Sequence, residues 1–156
     1  MLSKKIASFL IGLLYGSFLA ISLLGRPSVA NATVTKMEVE RAYEELKLGR
    51  LILIDVRSKR EWRATGIAIG SKPITIHDKR GITGFVDQVM KQTNKNFNKT
   101  IAVICASGVR SKSAALALHS AGYKKVINLP EGMLGNVWSG SGWIKKKLPV
   151  KKWRED

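Results

Sequence analysis

The chain holds one cysteine, Cys105, in 156 residues. An internal disulfide is therefore excluded. Histidine is almost as scarce: His77 and His119 are the only two, and neither has a partner at metal-ligand spacing. No metal and no cofactor is assigned. Acidic residues number 11 against 27 lysines and arginines, a net charge of +16. Such an excess points first to nucleic acid. The basic residues are dispersed, however, apart from Lys145-Lys146-Lys147 and Lys151-Lys152, and no aromatic platform is interleaved with them. We expect no nucleic-acid partner. There is no internal repeat, no low-complexity tract and no second domain.

One charge-free apolar stretch runs from Ile6 to Leu24, behind the basic start Lys4-Lys5. Ala30-Asn31-Ala32 follows as a small-x-small site, after the helix-breaking Gly25-Arg26-Pro27. Residues 1–32 thus read as a secretory signal peptide cleaved after Ala32, with the periplasm as destination. The competing expectation is an uncleaved membrane anchor over residues 6–24, a stretch nearly long enough to span a bilayer. No cysteine stands between residues 20 and 32, which excludes a lipoprotein anchor.

Residues 33–156 then form one domain with a basic C-terminal tail. Only Lys4, Lys5 and Arg26 are charged up to Ala32, so this part keeps 24 of the 27 basic residues against all 11 acidic ones, a net +13. An unpaired thiol in an oxidising compartment suggests nucleophilic use. The positive surface suits attraction of small anions and weak adhesion to anionic lipid or envelope polymers, or else a solvated face with no specific partner. A compact domain without heptads favours a monomer.

Apolar runs at Leu51–Val56, Thr100–Ile104 and Lys125–Leu129 have the character of buried parallel strands. Ile74-Thr75-Ile76 is a shorter candidate strand. Helices are expected from a capping box at Thr35-x-x-Glu38 up to Gly49, over Ser58–Ala64, over Gly81–Thr93 and over Ser111–Ala121. Pro130 to Gly142 is a glycine-rich loop. Strands alternating with helices imply an α/β fold, a parallel central sheet with helices on both faces.

Cys105 closes the second strong strand. Ala106-Ser107-Gly108-Val109-Arg110 leads from it to the helix beginning at Ser111. A cysteine so placed sits at the bottom of a loop whose N–H groups can converge on it. It also faces the positive end of a helix dipole, which favours a thiolate. A buried structural cysteine is the plain alternative, but it has no need of a polar, glycine-containing loop.

Three segments resemble the rhodanese superfamily of sulfurtransferases. They are Leu53-Ile54-Asp55-Val56-Arg57 with Glu61-Trp62, the Cys105–Ser111 loop, and Asn128-Leu129-Pro130-Glu131-Gly132-Met133 with Trp138. The likeness runs over roughly residues 35–150, by the order and spacing of the three. Gly66-Ile67-Ala68-Ile69-Gly70-Ser71 lacks the histidine often found there, and Glu131-Gly132 stands where two glycines are frequent. The resemblance implies a rhodanese-like domain that moves sulfur through a Cys105 persulfide. The donor would be thiosulfate or a similar anion, and the acceptor a thiol or cyanide. Ala106 to Ser111 would supply the anion cup, with Gly108 permitting close approach.

Arg110 either contacts the anionic donor or pairs with a carboxylate to hold the loop. Asp55 is expected to orient the neighbouring loop rather than act in catalysis. Arg57 and Glu61 are expected to pair with each other across a helical turn. Trp62 and Trp138 are read as packing residues, and His119 as a surface or groove residue. A cysteine phosphatase or arsenate reductase is a second reading. By resemblance, phosphatases of this fold have five residues between cysteine and arginine, where this chain has four. A non-catalytic binding module is a third reading.

Overall fold

Unbroken apolar runs become the central strands of this molecule. The computed structural model describes residues 34–155. Residues 1–33, with the expected signal peptide and its membrane-anchor alternative, lie outside the described residues. Eleven elements follow in order: β1 (Thr35–Lys36), α1 (Val39–Lys47), β2 (Ile52–Asp55), α2 (Lys59–Thr65), β3 (Ile67–Ala68) and β4 (Lys72–Pro73). Then come α3 (Gly81–Gln92), β5 (Thr100–Ile104), α4 (Val109–Ser120), β6 (Lys125–Asn128) and β7 (Val150–Lys151).

Five strands make a parallel sheet in the order β1-β6-β5-β2-β4. Side chains alternate across it, and both faces are covered. Ile54, Val56, Ile101 and Val103 pack with Phe85 and Val89 of α3 and Ala114, Ala115 and Leu118 of α4. Leu53, Ala102, Ile104 and Ile127 pack on the other face with Val39 and Ala42 of α1 and with Met133 and Trp143. Each such aliphatic side chain contributes about 1.5–3 kcal/mol by leaving water. A strand buried on both faces needs apolar residues at every position, which is why these runs do not alternate.

The expected parallel α/β sheet is therefore the observed one, with local corrections. Thr35 does not cap a helix; it lies in β1, paired with Ile127. The N-cap of α1 is Glu38, whose side chain makes no cap. Instead the Val39 N–H donates to Glu131 Oε2 at 2.7 Å, so a carboxylate 92 residues away closes the helix start. The short strand falls at Lys72–Pro73 rather than Ile74–Ile76. Ile74 and Ile76 still donate N–H bonds to the carbonyls of Asp55 and Val56, but without regular register.

Three short strands were not expected: β1, β3 and β7. β7 runs antiparallel to β3 in a separate two-stranded sheet, and Trp153 beyond it packs against Trp62 of α2 with ring centroids 5.3 Å apart. Glu155 pairs with Lys59 and Arg63 of the same helix.

Candidate active site

β5 delivers Cys105 to the C-terminal edge of the sheet, on the face covered by α3 and α4. The residue is only 1% exposed. Two donors reach its sulfur: the Gly108 N–H at 3.1 Å and the Ser111 hydroxyl at 3.4 Å. Gly108 is the N-cap of α4 and has φ +89°, a left-handed conformation open to glycine. A Cβ there would also lie 2.1 Å from the Pro130 carbonyl oxygen. Any other residue would push the loop off its support.

The helix begins at Val109, two residues earlier than the sequence suggests. The left-handed turn at Gly108 completes the reversal in three residues, so Val109, Arg110 and Ser111 form the first turn of α4 instead of extending the loop. The first-turn N–H groups have no partner within the helix, and this positive end stands beside the sulfur.

The loop carbonyls are engaged from the opposite side. Met133 N–H donates to the Cys105 carbonyl at 2.8 Å and Leu134 N–H to that of Ala106 at 2.9 Å. Asn136 Nδ2 donates to the carbonyls of Ser107 (3.1 Å) and Pro130 (2.9 Å). In a trans peptide the N–H and C=O point in opposite directions. Drawing three consecutive carbonyls toward residues 133–136 therefore turns the loop N–H groups toward the sulfur side. The segment after β6 is thus the loop's outer clamp.

Arg110 makes a two-pronged pair with Glu61, at 2.6 Å to Oε1 and 2.8 Å to Oε2. Of the two roles left open for Arg110, the structure displays the carboxylate pairing. Glu61 also accepts the Ser58 N–H at 3.0 Å and the Ser58 hydroxyl at 2.7 Å, in the capping box that opens α2. These bonds, the Arg110 guanidinium foremost, hold the Glu61 carboxyl down at about 2 against the opposing effect of burial.

Arg57 and Glu61 do not pair, contrary to expectation. Arg57 precedes the N-cap Ser58, whose backbone is extended, so the helical i,i+4 geometry does not apply to it. Its guanidinium turns inward to Asp55 instead, with Nε at 3.0 Å from Oδ1 and Nη2 at 2.7 Å from Oδ2. Its remaining donors reach Thr65 Oγ1 and the Gly66 carbonyl, both at 2.7 Å. Asp55 also accepts the Arg57 N–H at 3.1 Å. It orients the strand-to-helix turn, not the cysteine loop directly.

Trp62 is buried, as a packing residue should be. Trp138 is not: it is 93% exposed at the tip of the turn after Asn136. His119 is exposed on α4. His77 is exposed as well, with Nε2 3.5 Å from Arg110 Nη1. Among the described residues no group of three His, Cys, Asp or Glu side chains is placed to hold a metal ion. Sequence reasoning missed Asn136 and the buried Glu131, which accepts from both Val39 and Lys146. The one signal was the glycine-rich Pro130–Gly142 loop directly after a buried strand.

A parallel sheet with a lone cysteine at a strand end, donors on its sulfur and a helix start behind it defines a class of domain. The rhodanese-like domain family matches residues 38–137, and the chain belongs to it. It is 36% identical over 91 residues to the putative sulfur carrier protein YrkF of Bacillus subtilis, an alignment covering 58% of this chain and 42% of that protein. The chain thus spans about two fifths of that relative's length. Solved structures share the fold. Rv0390 of M. tuberculosis superposes with a TM-score of 0.61 at 22% identity, over 78% of this chain and 100% of that one. The polysulfide-sulfur transferase homodimer of Wolinella succinogenes gives 0.58 at 21%, over 76% and 78%.

Proposed function

We propose that this protein is a sulfurtransferase that carries sulfur on Cys105. The observation that carries the reading is the pair of donors, Gly108 N–H and Ser111 hydroxyl, converging on the sulfur at the start of α4. The Cys105 thiolate attacks the outer sulfur of thiosulfate. A new S–S bond forms, the old one breaks, and sulfite leaves with the electron pair. Cys105 then holds a terminal persulfide anion, which the loop N–H dipoles stabilise as they stabilised the thiolate. An acceptor thiolate or cyanide attacks that outer sulfur, and Cys105 returns as thiolate. The two half-reactions predict ping-pong kinetics. Ala106, Ser107, Val109 and Arg110 complete the rim that the anionic donor meets. A periplasmic setting after signal cleavage, and attraction of anions by the net +13 charge, belong to the same reading.

Intact mass of the protein before and after thiosulfate, then after cyanide, tests it. We expect a gain of one sulfur atom that cyanide removes, and no gain in Cys105→Ser, which should still unfold cooperatively. A free thiol that gains nothing would overturn the reading.

A further inference from the structure

Four large apolar side chains stand exposed around the Cys105 loop. Val109, the first residue of α4, is 72% exposed, and Leu134 is also exposed. Val137 and Trp138 are 91% and 93% exposed. The backbone fixes their closeness to the loop, because Leu134 N–H bonds the Ala106 carbonyl and the Asn136 side chain bonds that of Ser107. The turn that lifts Val137 and Trp138 is braced. Asn136 and Gly140 exchange both backbone hydrogen bonds at 3.0 Å, and Asn136 Oδ1 accepts the N–H groups of Trp138 (2.9 Å) and Ser139 (2.8 Å). Single exposed apolar residues need no explanation. Two adjacent ones on a preorganised turn at the mouth of a reactive loop form an anchor whose conformational entropy is already spent.

The charge around them is equally one-sided. Among the described residues every acidic side chain except Glu38 is engaged in an ion pair with a lysine or arginine of the same chain. The surplus left to meet an outside partner is cationic. Lys112 is exposed three residues after Val109, on the same side of α4. The apolar anchor, Lys112 and the net positive charge together fit an acidic protein surface, which would be steered in by charge and held by burial.

We propose that the sulfur acceptor is a cysteine thiol on another protein, one whose apolar face seats on Val109, Leu134, Val137 and Trp138 and whose acidic residues meet Lys112 and the domain's net positive charge. This rests on the persulfide reading of Cys105. The acceptor thiolate attacks the outer persulfide sulfur, the S–S bond to Cys105 breaks, Cys105 leaves as thiolate, and the acceptor becomes the persulfide. No outside oxidant or reductant is consumed. Cyanide is too small to need the Val137–Trp138 turn, so that turn sets which acceptor is served and leaves the chemistry alone.

The full chain, loaded with thiosulfate, is tested against three acceptors: cyanide, a peptide with one cysteine flanked by leucines and glutamates, and one with its cysteine flanked by serines and lysines. We expect kcat/KM for the leucine–glutamate peptide to exceed that for the serine–lysine peptide by about tenfold, the scale of an aromatic anchor. The double variant Val137→Ser, Trp138→Ser should lower that ratio by about fivefold, leaving only the preference due to charge, with loading and cyanide transfer unchanged. A ratio near one in the wild type overturns the proposal, as does a parallel fall in cyanide transfer. So does an unchanged ratio in a variant that loses self-association or binding to phosphatidylglycerol vesicles, since the face would then serve a second copy or lipid. Failure to load sulfur at all appears at the first step and removes the persulfide reading itself.

Discussion

Arg57 and Arg110 each grip a carboxylate with two nitrogens, in opposite surroundings. Arg57 and Asp55 have side chains 1% and 0% exposed, and Arg57 spends its other donors on Thr65 and Gly66. Arg110 and Glu61 are each 30% exposed, and Arg110 has only the solvent-facing His77 as a further neighbour. The buried pair can be neither opened nor shared without stranding a charge away from water. The rim pair opens into solvent, where both groups are rehydrated. The same chemical unit therefore serves as a fixed staple at one end of α2 and as a releasable latch at the other, beside the thiol.

The contrast is sharpest in stability. Arg57→Ala strands Asp55 and should cost about 3–5 kcal/mol in urea unfolding. Arg110→Ala removes a half-exposed pair and should cost about 1 kcal/mol or less. It should nonetheless slow sulfur loading from thiosulfate, since the pair with Glu61 holds the first turn of α4 beside the cysteine. Equal stability losses in the two variants would erase the distinction. Arg110→Ala with unchanged loading and unchanged stability would leave that residue with neither role.

The smallest effect is in pH. The Glu61 carboxyl sits at about 2 in the folded protein, below its ordinary value of 4.5. A carboxyl lowered by folding stabilises the native state above its unfolded value and loses that contribution as pH falls through its folded one. The advantage of wild type over Glu61→Gln should therefore be complete above about pH 4.5, decline between there and pH 2, and amount to about 1 kcal/mol after solvent screening. An advantage that is flat across that window would mean the pair does not stabilise the fold.

What was legible in the sequence was local. Thr100–Ile104 was read with its true bounds because five apolar or β-branched residues in a row suit only a strand buried on both faces. The Ser58–Glu61 capping box shows how local signals can also be passed over: the helix was found there, but Glu61 was assigned to Arg57 when its partner lies 49 residues on. Thr35-x-x-Glu38 carried the same motif and made no cap, because edge pairing with β6 claimed Thr35 and Glu131 supplied the cap from outside. Trp62 and Trp138 look alike as letters. Only the three-dimensional path shows that Trp62 meets Trp153 while Trp138 stands on a turn facing water. At the candidate site, Cys105 and its loop were visible as a strand–glycine–helix pattern. The clamp by Met133, Leu134 and Asn136 was not, since backbone donors and a lone amide leave no periodicity to read.

The strap formed by β7, Trp153 and Glu155 has a consequence in time. It grips α2 across a sequence separation of 92 residues from Arg63 to Glu155. During synthesis α2 emerges well before Trp153 and Glu155, and its outer side waits for them to arrive. The helix that holds Glu61, and through it Arg110, is thus secured late. Contacts of such long range are slow to form. A nascent chain carries the cysteine before it carries the finished latch, and its arginine is fixed beside the thiol only once the strap has closed.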